Sequence, residues 1–222
     1  MNMLTRKLVA KDFYLHRWLI VGSTVAGIAG LLIAAEGETR FNIGMLTWLT
    51  SLVAFGVVLA MLGVAGERKE RALQFVLSLP LSHGDYVRIK AFGLVLIYLV
   101  PWLTLTLGAV TLVLVMPNLP DGLLPTIILL CGFMLANYSI VLSGALHTTS
   151  EGWMTIVIIV TNMNVTLFIF LVGGLPSLNG HLHDAAATWN STFWNVLAIE
   201  IATLLITLSL PYFVAARRRD FN

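Results

Sequence analysis

Apolar and polar positions along this chain are sorted into long blocks. Six apolar blocks, at residues 18–35, 43–65, 91–116, 122–146, 153–176 and 194–215, each approach or exceed the roughly 20 residues that a helix needs to cross a membrane. Only His147 to Gly152 separates the fourth block from the fifth, which predicts a tight helical hairpin. Pro117, Pro120 and Gly122 turn the chain between the third and fourth. Pro101, Pro125 and Pro211 fall near the ends of spans or inside them, where neighbouring helices satisfy the freed backbone groups. The predicted fold is all-α: one transmembrane domain over residues 1–222, with six spanning helices and no span-length repeat or low-complexity tract.

Two polar segments have a pattern of their own. In Met1–Arg17, Leu4, Leu8 and Leu15 recur near helical spacing with Arg6, Lys7 and Lys11 between them. That arrangement predicts an N-terminal helix lying in the membrane interface, its cations near the headgroups. The second segment, residues 67–90, separates spans two and three. Leu73, Val76 and Leu77 fall on one helical face, and Glu67 and Arg71 form an i, i+4 pair beside it. Pro80 closes this short amphipathic helix, and Ser82 with Asp85 makes a capping box that opens the helix of span three. A simple connection could be far shorter, so the apolar face of Leu73, Val76 and Leu77 is expected to dock into a groove on a soluble partner.

Charge gives the orientation. Arg6, Lys7, Lys11 and Arg17 precede span one; Arg68, Lys69, Arg71, Arg88 and Lys90 lie between spans two and three; Arg217, Arg218 and Arg219 follow span six. With six spans these regions share a side, and of the thirteen Lys and Arg only Arg40 lies opposite. The positive-inside rule makes that side cytosolic, with both termini and residues 66–90 on it. The first block begins only at Trp18, and although Ala34-Ala35-Glu36 loosely mimics a cleavage site, the block is expected to be a retained span.

Composition fits membrane lipid as the main partner: 58% of residues are hydrophobic and 11% charged, against roughly 25% charged in soluble domains. A net charge of +2 gives no reason to expect nucleic acid. The single cysteine, Cys131, excludes an internal disulfide and a Cys-based metal site. No Gly-x-x-x-x-Gly-Lys-Ser/Thr loop occurs, and no soluble stretch is long enough for an ATPase domain.

The run Leu-Gln-Phe-Val-Leu-Ser-Leu-Pro at 73–80, with acidic residues before it and Ser82, Tyr86-Val87 and Lys90 after it, resembles the signature of type-2 ABC exporter permeases. In specific residues the resemblance covers about 67–90. In architecture it also takes in the N-terminal segment, the six spans and the longer outer loop before span six. Arg71-Ala72 stands where that family often has Gly-Thr, and His83 where it often has a basic residue. The resemblance implies a permease subunit of an ATP-driven exporter in a bacterial cytoplasmic (inner) membrane. The loop would be the coupling helix, with Glu67 or Glu70 as the acidic contact. ATP and Mg would be bound by a separate ATP-binding cassette subunit, this chain carrying no cofactor of its own. A second permease subunit, as homodimer or heterodimer, would complete the pathway.

Polar residues inside the spans are costly and mark candidate positions along a substrate path. Asn137 in span four, Asn162 in span five and Glu200 in span six are the candidates; Tyr138, Ser139, Ser143, Thr161 and Asn164 lie near them. Interhelical hydrogen bonding is the competing account for the amides and hydroxyls. Gly22, Ala26 and Gly30 form a small-residue ladder, expected to pack span one within the subunit. His181, His183 and Asp184 on the outer loop are too closely and unspecifically spaced for a zinc site, and no metal is expected. A non-transporting anchor or signalling subunit shares the same composition. An intramembrane enzyme is disfavoured, because Glu200 is the one carboxylate in the spans and no His lies there unless His147 is counted.

Overall fold

A computed structural model describes residues 3–66, 83–117, 119–148 and 150–217. Among these residues six helices are long and apolar enough to cross a membrane, and no strand is present. They are α1 (Met3–Ala35), α2 (Glu38–Ala60), α3 (His83–Val115), α4 (Leu124–His147), α5 (Glu151–Gly173) and α6 (Ser191–Arg217). Met61–Gly66 prolongs α2 as a wider π-helical turn, and a short helical turn at Pro176–Asn179 stands in the loop before α6. The protein is a multi-pass, all-helical membrane protein.

α1 corrects one expectation. Residues 3–17 are not a separate interfacial helix; they are the opening turns of a single 33-residue helix that runs on through span one. Nothing in the local sequence would break it, since the first glycine is Gly22 and the first proline is Pro80. At about 1.5 Å per residue α1 is roughly 50 Å long, well over the ~30 Å hydrocarbon core. α3 also has 33 residues and begins at His83 with Asp85 in its first turn, eight residues before its apolar block.

α4 is the central helix and packs against α2, α3, α5 and α6. Phe55, Tyr98 and Tyr138 stack in series across α2, α3 and α4, with ring centroids 5.8 and 3.9 Å apart. The polar ends of buried aromatics are satisfied by carbonyls of neighbouring helices. Tyr138 Oη donates to Leu94 O at 3.1 Å, Trp102 Nε1 to Cys131 O at 2.8 Å and Trp48 Nε1 to Leu105 O at 3.3 Å. A helical carbonyl keeps a second lone pair after its own i+4 bond, so these ties need no break in the backbone ladder.

In the hairpin of α1 and α2 the two backbones come into direct contact. A Cβ at Gly30 would stand 2.7 Å from the backbone nitrogen of Trp48 and 2.8 Å from Gly44 O, while one at Gly44 would collide with the backbone of Ala34 and Gly30. The Gly22–Ala26–Gly30 ladder therefore holds only at Gly30. Gly22 and Ala26 are exposed, with nothing within 4 Å of a Cβ at Gly22. α5 lies at the rim and packs mainly on α4, leaving Trp153, Met163 and Phe170 exposed. Such a surface costs nothing against lipid tails, which are as apolar as the side chains.

Contacts between helix ends establish which segments share one end of the bundle. Lys90 near the start of α3 pairs with Asp12 near the start of α1, Nζ to Oδ2 at 2.8 Å. Arg88 lies 3.9 Å over the ring of Tyr212, close to the end of α6. The start of α1, the start of α3 and the end of α6 thus share one end of the bundle. At the other end, Arg40 pairs with Glu36.

Candidate functional site

Glu200 lies in the seam between α4 and α6. Its side chain is 6% exposed, and neither carboxyl oxygen has a hydrogen-bond partner among the described residues. Room for it exists because α4 has Gly132 opposite, where a Cβ would run into the carboxyl group. Leu197 lies against the same glycine. Two turns along both helices, Ser139 Oγ meets Thr207 Oγ1 at 2.6 Å. Gly132 with Glu200 and Ser139 with Thr207 keep one sequence offset, so α4 and α6 run parallel and share a polar seam.

Asn137 faces another neighbour. Phe133 stacks on Phe168 at 4.0 Å, and a Cβ at Gly144 would meet Val157, so α4 and α5 pack antiparallel. That register sets Asn137 opposite Thr161–Asn164. Asn137 is 5% exposed and its Oδ1 has no partner among the described residues. Thr161 satisfies itself on its own helix, donating to Val157 O at 2.7 Å.

Asn162 is on the outer side of α5. Its Nδ2 donates to Ile158 O at 2.9 Å, and it lines a groove of about 480 Å³ between α2 and α5 with Thr50 and Thr166. The groove's lining includes neither Asn137 nor Glu200. Among the described residues the three candidate path residues therefore face different neighbours, and no described cleft joins them.

Glu67, Glu70, Leu73, Val76 and Leu77, expected as the partner-binding helix, lie outside the described residues. The helices on either side are described, and there the structure adds a contact that the sequence reading did not single out. Asp12 and Lys90 form a buried ion pair, and His16, 3% exposed, donates from Nδ1 to Asp12 O at 2.8 Å. A signal existed: Asp12 is the single acid in Met1–Arg17, and Lys90 is the last charge before the third apolar block.

On the loop before α6 His181 Nδ1 bonds Asp184 Oδ2 at 2.7 Å. His183 instead lines a cleft of about 610 Å³ with Asp121, Pro117 and Pro120. Among the described residues no three His, Cys, Asp or Glu side chains are grouped as metal ligands would be. Cys131 is buried as a free thiol. No protein-family model, curated protein or solved structure matches this chain.

Proposed function

We propose that this protein is the membrane-spanning permease subunit of an ATP-driven ABC exporter, lying in a bacterial cytoplasmic membrane with both termini in the cytosol. The observation that carries the reading is the sequence of residues 67–90: a pattern that predicts an amphipathic helix bracketed by charge and ended at Pro80, and that resembles the coupling segment of type-2 permeases. Its placement supports the reading. A force-transmitting contact must lie on the ATP side and connect directly to spanning helices. This segment joins α2 to α3 at the bundle end where Asp12 meets Lys90 and Arg88 meets Tyr212. By the positive-inside rule that basic face is cytosolic.

ATP and Mg belong to a separate subunit in this reading, and this chain turns conformational work into movement of substrate. Asn137, Asn162 and Glu200 point to different neighbours, so a path made from them needs a second permease subunit or a large rearrangement. Glu200 is the strongest of the three, because a carboxyl held without partners contributes nothing to folding.

Docking is tested with a double substitution, Leu73→Asp with Leu77→Asp, which would bury two unpaired charges at the contact. Tagged wild-type protein purified from native membranes should bring down an ATP-binding partner and its ATP hydrolysis. The double variant should insert normally and lose both. A wild-type protein that carries no ATPase, or a variant that keeps it and transports at the wild-type rate, would overturn the proposal.

A further inference from the structure

The seam between α3 and α6 at the basic end holds a cleft of about 350 Å³, within the range of about 300–1,000 Å³ usual for small-molecule sites. Among the described lining residues one cation, Arg88, stands at its mouth. Phe92, Val95 and Leu208 form apolar walls one to two turns further along the helices. Arg88 is exposed and has no acidic partner among the described residues; its guanidinium carbon lies 3.9 Å over the ring of Tyr212. Asp85, one turn earlier on α3, is not part of the lining. Phe92 is 50% exposed, so the cleft opens sideways from the bundle.

From these features we infer that the α3–α6 seam binds one anionic phospholipid, its headgroup phosphate on Arg88 and an acyl chain along Phe92, Val95 and Leu208. A guanidinium presents a planar fork of donors matched to phosphate oxygens, and stacking on an aromatic ring orients it in advance. Depth agrees with this. α3 is roughly 50 Å long by its ~1.5 Å rise per residue, so its first turns stand at headgroup level while Phe92 and Val95 lie deeper. A site charged at one end and apolar along the rest fits an amphiphile better than another protein helix. Basic pockets between spanning helices are where anionic headgroups are held. This assignment does not depend on the transport reading.

Native mass spectrometry of the detergent-solubilised protein, with dioleoyl-phosphatidylglycerol or dioleoyl-phosphatidylcholine added at equal concentration, reads the site directly. One phosphatidylglycerol should be retained in preference to phosphatidylcholine. Arg88→Gln should weaken phosphatidylglycerol about fivefold, the effect of one basic residue near a lipid surface, and leave phosphatidylcholine unchanged. Ala91→Phe, which fills the cleft and keeps Arg88, should remove the retained lipid. Arg17→Gln is the control, because Arg17 sits over Tyr14 and Trp18 on an exposed face of α1. Gel-filtration profile and unfolding midpoint verify that each variant is folded. Equal loss in Arg17→Gln would mean diffuse surface charge, and glycerol phosphate binding as tightly as the lipid would mean a free-phosphate site. A change in oligomeric mass with lipid occupancy unaltered would give the seam to a second copy of the chain. Any of these three, or wild-type binding by both Arg88→Gln and Ala91→Phe, overturns the inference.

Discussion

Asp12 and Glu200 are each more than nine-tenths buried, yet they are stabilised differently. Asp12 holds the Lys90 ammonium at 2.8 Å, whereas Glu200 faces a glycine and has no hydrogen bond at either oxygen. Removing one partner of a buried ion pair leaves the other uncompensated, at a cost of about 3–5 kcal/mol. Removing a polar group that has no partner loses no bond, and an apolar side chain of similar shape is tolerated or better. Lys90→Met should therefore lower the unfolding midpoint in mixed micelles strongly, and Glu200→Leu should leave it unchanged or raise it. An equal fall in both would mean that Glu200 has a structural partner after all. A carboxyl retained at a cost to folding is the kind of local inconsistency that functional sites keep.

Among the elements, the α1–α2 hairpin shows what can be read from sequence and what cannot. The existence of six spans is legible, because block length and hydropathy depend on each segment alone. The face a helix uses is not. α1 carries Gly22, Ala26, Gly27 and Gly30, and small residues on several faces give no preference until the partner helix is known. Apolar blocks also understate helix length, since charged turns such as 3–17 and 83–90 continue a helix that hydropathy reads as ended. Likewise Glu200 is legible as a charged residue in a span, but its seam depends on Gly132, a residue with no chemistry of its own. The hairpin gives a direct comparison. Gly44→Val places branched carbons against the backbone of α1, which cannot rotate away as a side chain can. Overpacking costs typically about 1–3 kcal/mol, and backbone against backbone should reach the upper part of that range. Gly22→Val points into open space, so its change should stay within about 0.5 kcal/mol. Unfolding midpoints of the two variants, measured side by side, check the difference.

For the whole molecule, two independent features bear on orientation. One is statistical: all Lys and Arg except Arg40 fall at residues 6–17, 68–90 or 217–219, flanking the apolar blocks on one side. The other is geometric: the Lys90–Asp12 pair and the Arg88–Tyr212 contact bring the start of α1, the start of α3 and the end of α6 to one end of the bundle. Geometry brings these segments to one side, and the proposed reading makes that side the cytosolic one, because cytosolic loops keep Lys and Arg. Cysteine labelling separates the two sides. Cys131 is 1% exposed and is replaced first, as Cys131→Ala, to clear the background. In intact cells an impermeant maleimide should label Leu182→Cys on the loop before α6, and should label Asp220→Cys only after the membrane is opened. Labelling of Asp220→Cys alone would turn the bundle over. The 67–82 connection would then face away from ATP, and no coupling role for it would survive, whatever its sequence resembles. Labelling of both in intact cells would mean an even number of crossings between them, contradicting α6 as a full span.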